Sequence, residues 1–223
     1  MTDIAVTMLV VAKAPVPGLA KTRLAATVGD RAAADIAAAA LLDTLDAAAA
    51  TPFAARVVAM TGDLDLASHG DEIRRRLAAF TVIGQRGDGF AERLVNAHAD
   101  AAAVAGDRPV LQIGMDTPQV TPELLGSCGQ ALLDAPAVLG MARDGGWWVL
   151  GVRSADMAQC LRDVPMSTSE TGALTHMALQ HQGVQVTLLT DLHDVDTIDD
   201  VETVRNGCPS GSRFADATRM AGV

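Results

Sequence analysis

The nine residues Ile4 to Ala12, IAVTMLVVA, contain one hydroxyl and no charge. A strand without polar alternation must be covered on both faces, as a central strand is in a parallel sheet flanked by helices. The chain then repeats this pattern. Apolar strand signals recur at residues 55–60, 80–85 and 109–114, alternating with helical stretches at 32–50, 71–79, 89–105 and 121–135. Repeated β-α-β units predict an α/β fold with helices on both faces of a mostly parallel central sheet. After residue 135 the rhythm changes. AVLGMA and WWVLGV flank the turn Arg143-Asp144-Gly145-Gly146 and read as two strands joined by a short connection. A helix at about 170–182, a strand at 184–189, an acidic stretch and a last helix from near Thr197 complete the series. No repeat or linker divides the chain, so residues 1–206 read as one domain. Residues 207–223, which open with Gly, Ser and Pro, read as a flexible tail.

In sheets of this kind ligands bind beyond the carboxyl ends of the strands, so polar residues just after strands carry the functional information. The net charge of −10 argues against nucleic acid or an anionic membrane as partner. A phosphate-bearing ligand would need a local cluster of cations. No apolar run approaches the ~20 residues needed to span a bilayer. The N-terminus lacks the basic flank and cleavage pattern of a signal peptide. Cys128, Cys160 and Cys208 are widely spaced and read as reduced thiols, which fits a cytoplasmic protein. Alanine-rich helices leave room for a homodimer.

The stretch KAPVPGLAKTRL, Lys13 to Leu24, supplies the expected cations directly after the first strand. Pro15 and Pro17 stiffen the path, while Gly18 lets the backbone turn or approach a ligand. Lys21 and Arg23 enter a helix at its positive end, where cations are unfavourable unless an anion is bound. Neither a Walker loop nor a dinucleotide-type glycine motif is present. Asp116, in QIGMDTPQVTPE, leaves another apolar strand, and a carboxylate there can hold Mg²⁺ or Mn²⁺ together with substrate phosphates. It can equally cap the turn before Pro118. In DLHDVDTIDDVE, Thr197 and Asp200 fit a helix-capping box. That leaves Asp194 and Asp196, which point to one face of an extended segment and repel unless a cation lies between them. Asp144-Gly145-Gly146 suits a tight turn, and of Trp147 and Trp148 one should face the core and the other a pocket. Ser167 and Glu170 fit a capping box for the following helix. No Ser-His-Asp or Cys-His arrangement stands out, which disfavours a hydrolase of the nucleophilic type.

Taken together, AKAPVPGLAKTRL, GDGFAERL, IGMDTPQVTPELL, RDGGWWVLGVR, VPMSTSETGAL and HDVDTIDDVE resemble the bacterial DUF2064 group over roughly Val6 to Val204. That group is often labelled as glycosyltransferases of the GT-A, nucleotide-diphospho-sugar transferase fold. More distantly, the first loop and the DVDT ending look like guanylyltransferases that activate small phosphorylated acids. This chain has Asp116-Thr117-Pro118-Gln119-Val120 where the group usually has Asp-Cys-Pro-Asp-Leu, and Trp147-Trp148 where it has two tyrosines.

The resemblance implies a single three-layer α/β/α sandwich and a divalent-metal-dependent transferase using a nucleotide-diphospho-sugar and a small-molecule acceptor. It implies a metal held by Asp116 and Asp196 with Asp194 as helper. Phosphates would be met by Lys13, Gly18, Lys21 and Arg23, with Asp144 and Trp147 facing the sugar or acceptor. A nucleotidyltransferase taking an NTP and releasing pyrophosphate uses the same apparatus. A non-catalytic nucleotide-binding module, whose acids serve only as caps and turns, is the third expectation.

Overall fold

Strand β1 (Ile4–Lys13) runs up the middle of a seven-stranded sheet in the computed structural model, which describes residues 3–195 and 197–223. It pairs in parallel with β2 (Phe53–Thr61) on one side and with β4 (Val110–Ile113) on the other. β3 (Thr81–Gly84) extends the sheet beyond β2. On the far side β6 (Trp147–Val152) runs antiparallel to both β4 and β5 (Ala137–Ala142), and β7 (Val186–Leu192) closes the edge parallel to β5. The order is β3-β2-β1-β4-β6-β5-β7, with β6 the one reversed strand.

The unalternating composition of β1 is used on both faces. Val6, Met8 and Val10 pack with Leu41 and Leu45 of α2 (Asp30–Ala50), Ile73 of α3 (Gly70–Leu77) and Leu125 of α5 (Pro122–Asp134). Leu9 and Val11 pack on the opposite side with Leu94 and Val95 of α4 (Phe90–Ala105) and Leu179 of α6 (Thr171–His181). A 3-10 segment (Ala155–Asp163) lies against α4 on that side. This is the layered α/β/α arrangement expected from the sequence. Among the described residues, no helix is long and apolar enough to cross a membrane.

α2 is buried on two sides, and its alanines make that possible because they bring the helix axis close to both neighbours. One side meets the sheet. The other, with Ala33, Ile36 and Ala40, carries an outer layer of α1 (Thr22–Val28), α7 (Ile198–Gly207) and α8 (Arg213–Met220). The segment expected as a flexible tail thus contains α8, docked on α2. Phe214 is fully buried there, a contribution of about 2–3 kcal/mol. Asp43 of α2 accepts from Ser212 Oγ at 2.7 Å and from the Phe214 N–H at 3.0 Å, holding the start of α8. The tail reading failed because the partner of these polar residues lies on α2, far away in sequence.

The capping expectations divide. Thr121 accepts from Leu124 N at 3.2 Å, and Thr197 with Asp200 forms the capping box of α7. Ser167 and Glu170 do not form one. Ser167 sits in the left-handed region at φ 60°, and α6 starts at Thr171, with Glu170 as its uncapped N-cap residue.

Candidate active site

A cleft of about 910 Å³ opens where β1 and β4 end, as the parallel-sheet rule requires. Because β6 is reversed, its beginning opens on the same edge, so the β5–β6 turn joins the cleft wall. Lys13, Lys21, Arg23, Asp116, Asp144, Trp147 and Asp194 all line this one space. Gly18 does not. It turns the loop, at φ 78°. Asp196 lies outside the described residues.

The loop after β1 is closed by Lys13, whose Nζ donates to the Leu19 carbonyl at 2.9 Å. Its last turn puts Lys21 in the left-handed region, at φ 47°, as the residue preceding α1. From there the Lys21 ammonium reaches across the cleft. It stands 2.8 Å from Asp116 Oδ1 and donates to the Val195 carbonyl. Val195 N in turn donates to the Asp116 carbonyl at 3.1 Å, and Gln119 Nε2 donates to the His193 carbonyl. The exits of β1 and β4 and the segment before α7 are therefore cross-tied around one cation.

Asp194 shows the charge balance here. Its carboxyl is pushed up to about 6, chiefly by burial and then by the nearby Asp144 and Asp116 charges, against a downward pull from its own backbone N–H and from Lys21. Carboxylate oxygens in excess over the one lysine among them are the hard donors that Mg²⁺ or Mn²⁺ takes, and such ions need only one or two protein carboxylates beside substrate phosphates. Among the described residues, no three His, Cys, Asp or Glu side chains close into a complete metal-holding group.

The second wall is built by backbone packing. Gly145, at φ 93°, lies so close to the Ser169 carbonyl that a Cβ would collide with it, and a Cβ at Gly172 would meet the Gly146 carbonyl. Gly172 N donates to the Gly145 carbonyl at 2.8 Å. Asp144 Oδ1 accepts from Gly146 N at 2.7 Å, which fixes its carboxylate at the rim. The glycine pair of the turn and the glycine of TSETG thus form one interlocking contact. Both tryptophans line the cleft: Trp148 is buried and donates to the Thr190 carbonyl at 2.9 Å, while the half-buried Trp147 has its indole N–H buried and without an acceptor.

Two cleft residues escaped the sequence reading. Gln85 Nε2 donates to the Ala12 and Ala59 carbonyls at 2.8 and 2.9 Å, bridging β1 and β2 beside the cleft. Its place at the end of the third strand was the available signal. Thr117 is buried, lines the cleft and has no partner for its hydroxyl, which nothing in the sequence announces. Burial pushes the Cys128, Cys160 and Cys208 thiols up to about 11, which leaves no thiolate nucleophile at neutral pH.

The mostly parallel sheet with its reversed strand, and the cation-and-carboxylate cleft at its carboxyl edge, belong to a fold shared with solved nucleotide-diphospho-sugar and nucleotidyl transferase structures. Within that fold the chain belongs to the family described as "Uncharacterized protein conserved in bacteria (DUF2064)", whose model matches residues 44–168. Among solved structures it is similar to a provisionally assigned nucleotide-diphospho-sugar transferase from Desulfovibrio desulfuricans G20. That match has 25% identity and a TM-score of 0.85, and covers 99% of this chain and 96% of that one. A CMP:2-keto-3-deoxy-manno-octonic acid synthetase in complex with CTP shares the fold at 14% identity and TM-score 0.55, covering 96% and 99% of the two chains. A manganese complex of Rv0371c from Mycobacterium tuberculosis H37Rv does so at 20% identity and TM-score 0.53, covering 90% and 97%. No curated protein matches the sequence.

Proposed function

We propose that this chain is a divalent-metal-dependent transferase whose donor is a nucleotide-diphospho-sugar. The observation that carries the reading is the meeting of Lys21 and Asp116, 2.8 Å apart, in the cleft at the ends of β1 and β4. One belongs to a loop suited to phosphate and the other to an edge suited to a metal. The assignment of the Desulfovibrio protein, matched over nearly its whole length, supports the same donor class.

In this reading Lys13, Lys21 and Arg23 bind the donor's phosphates, and Gly18 gives the loop its turn. Asp116 and Asp196, with Asp194 as helper, would hold Mg²⁺ or Mn²⁺, which when bound would offset the negative charge growing on the departing nucleoside diphosphate. Lys21 would leave Asp116 for the phosphates once the donor arrives. Asp144, fixed by the turn, would orient the sugar or acceptor, and Trp147 would cover it. The rate gain comes from positioning and charge stabilisation, with no covalent intermediate on the protein.

Nucleotidyl transfer is the second reading, favoured by the three cations of one loop, which suit a triphosphate. Calorimetry with UDP-, GDP-, CDP- and ADP-sugars and with NTPs, each with and without Mn²⁺, tests both. Binding of none of them would sink the proposal. Free nucleoside diphosphate as product supports sugar transfer, whereas pyrophosphate supports nucleotidyl transfer.

A further inference from the structure

The layer between the sheet and α4 is built mainly of leucine, valine and alanine, yet it contains a polar cluster. Thr7 and Leu9 point into it from β1, and Gln112, the register partner of Leu9 on β4, points the same way. His98 enters from α4 on the face that also carries Leu94 and Ala101. Thr7 and His98 are fully buried and Gln112 is 2% exposed. The Thr7 hydroxyl, both His98 ring nitrogens and the Gln112 amide oxygen have no hydrogen-bond partner among the described residues.

Buried polar atoms are nearly always paired, and burying them unpaired in an apolar layer is costly. Gln112 differs from the other two because it also lines the cleft, beside Val11 and Leu94. It therefore spans the wall between the α4 layer and the binding space. Its oxygen is the buried end of the amide, which leaves the hydrogens of the nitrogen for the cleft. On the inner side, burial pushes the His98 ring down to about 4 and holds it neutral, while the neighbouring Gln112 favours a proton on it. A neutral imidazole has one N–H to give. Given to the Gln112 oxygen, that N–H locks the amide, since turning it over would set N–H against N–H.

We propose that Gln112 is a ligand-contacting residue of the cleft, offering its amide N–H groups to an acceptor atom of the bound nucleotide. His98 is the positioning residue that sets this orientation from behind. The inference rests on the transferase reading above and deepens it. It adds a neutral donor to the cleft, separate from the cations of the β1 loop and from the carboxylates. It holds for sugar transfer and for nucleotidyl transfer alike, because both bring a nucleotide to this space.

The test follows the Gln112 side-chain NH₂ resonances in isotope-labelled protein while UDP, GDP, CDP and ADP are added in turn, each with Mg²⁺. The nucleotide that most shifts the backbone amides of Lys21 and Asp116 should also shift the Gln112 pair. Gln112→Met keeps the length and volume of the side chain. It should weaken that nucleotide about 5- to 20-fold and leave the affinity for Mg²⁺ alone unchanged. His98→Leu, which frees the amide to turn, should weaken it about two- to fivefold. In the Gln112→Met background, His98→Leu should lower affinity no further. Cleft amides that shift while the Gln112 pair stays still overturn the contact and leave the transferase reading standing, as does undiminished affinity in Gln112→Met. An equal His98→Leu loss in both backgrounds overturns the positioning role, because a purely structural effect does not need Gln112. Should Gln112→Met not fold, the resonances of the unmodified chain decide the contact by themselves. If no nucleotide moves any cleft amide, the transferase reading falls and this inference falls with it.

Discussion

Lys21 Nζ stands 2.8 Å from Asp116 Oδ1, although the first residue follows β1 and the second follows β4. The ammonium is nearly enclosed, with its side chain 9% exposed, whereas the Asp116 side chain is 43% exposed. The lysine is thus the held member of the pair and the carboxylate the one open to an incoming ion. In Lys21→Met, nucleotide affinity should fall about 10- to 100-fold, as expected for a lost hydrogen bond to a charged group. Mn²⁺ alone should bind more tightly, because its competitor for Asp116 is gone. Paired calorimetric titrations read both changes, and unaltered nucleotide affinity would refute the phosphate role.

Asp116→Asn and Asp194→Asn keep the side-chain shape and remove charge. Each should weaken Mn²⁺ binding by about tenfold or more while leaving the fold intact. Metal titration followed by electron paramagnetic resonance, with circular dichroism as the fold control, measures this. Undiminished binding in both variants would place the metal elsewhere.

The glycine interlock predicts a different failure. Gly145→Ala strains a backbone at φ 93° and drives a Cβ into the Ser169 carbonyl, and Gly172→Ala drives one into the Gly146 carbonyl. Each should cost about 2 kcal/mol or more. Catalytic turnover should fall further than nucleotide affinity, since the cations lie on the other wall. Denaturant unfolding together with calorimetry checks the split.

His98 gives the fold a pH dependence. Burial lowers its pKa from 6.5 to about 4, with Gln112 offsetting part of that, so the native state holds the ring neutral. The unfolded chain takes up the proton first as pH falls. Stability from this group is therefore full above about pH 6.5, declines as pH drops toward 4, and levels off below. The loss is on the order of 3 kcal/mol. Urea unfolding between pH 7.5 and 4 should show the decline, and His98→Leu should flatten it. A parallel slope in that variant would assign the effect to other groups.

Asp43 holds α8 through bonds from Ser212 Oγ, Phe214 N and Arg213 N, the last at 3.1 Å. Asp43→Ala strands those donors and should cost about 2–4 kcal/mol. Amide exchange in residues 213–220 should rise well above that in β1. If it does not, the apolar contact of Phe214 is sufficient to dock the helix.

The parallel core was readable because both-face burial leaves a plain trace in β1 and in VLQI of β4. β7 was placed too early, at 184–189 rather than Val186–Leu192. It is an edge strand with Leu188 56% exposed, so its pattern lacks the alternation that marks a boundary. At the site, position after a strand was enough to flag Lys13, Lys21, Asp116 and Asp144. What position could not reveal was pairing across the chain. The Lys21 bond to the Val195 carbonyl, the unpartnered Thr117 hydroxyl and the Gly145–Ser169 contact all depend on residues brought together only by the fold.

The reversal of β6 has a consequence for how such a cleft can change. Residues before about 120 supply every lysine and arginine among the described residues of the cleft lining, and residues after about 137 supply a second wall that includes Asp144 and Asp194. The second half is reached by β5 and β7, which run with β1 and β4, and by β6, which runs against them. Lengthening or exchanging the short turn at 143–146 would therefore remodel one half while the strand register of the other stays fixed. The architecture makes the two halves separable: the cationic wall can be kept while the wall carried by the short turn is exchanged.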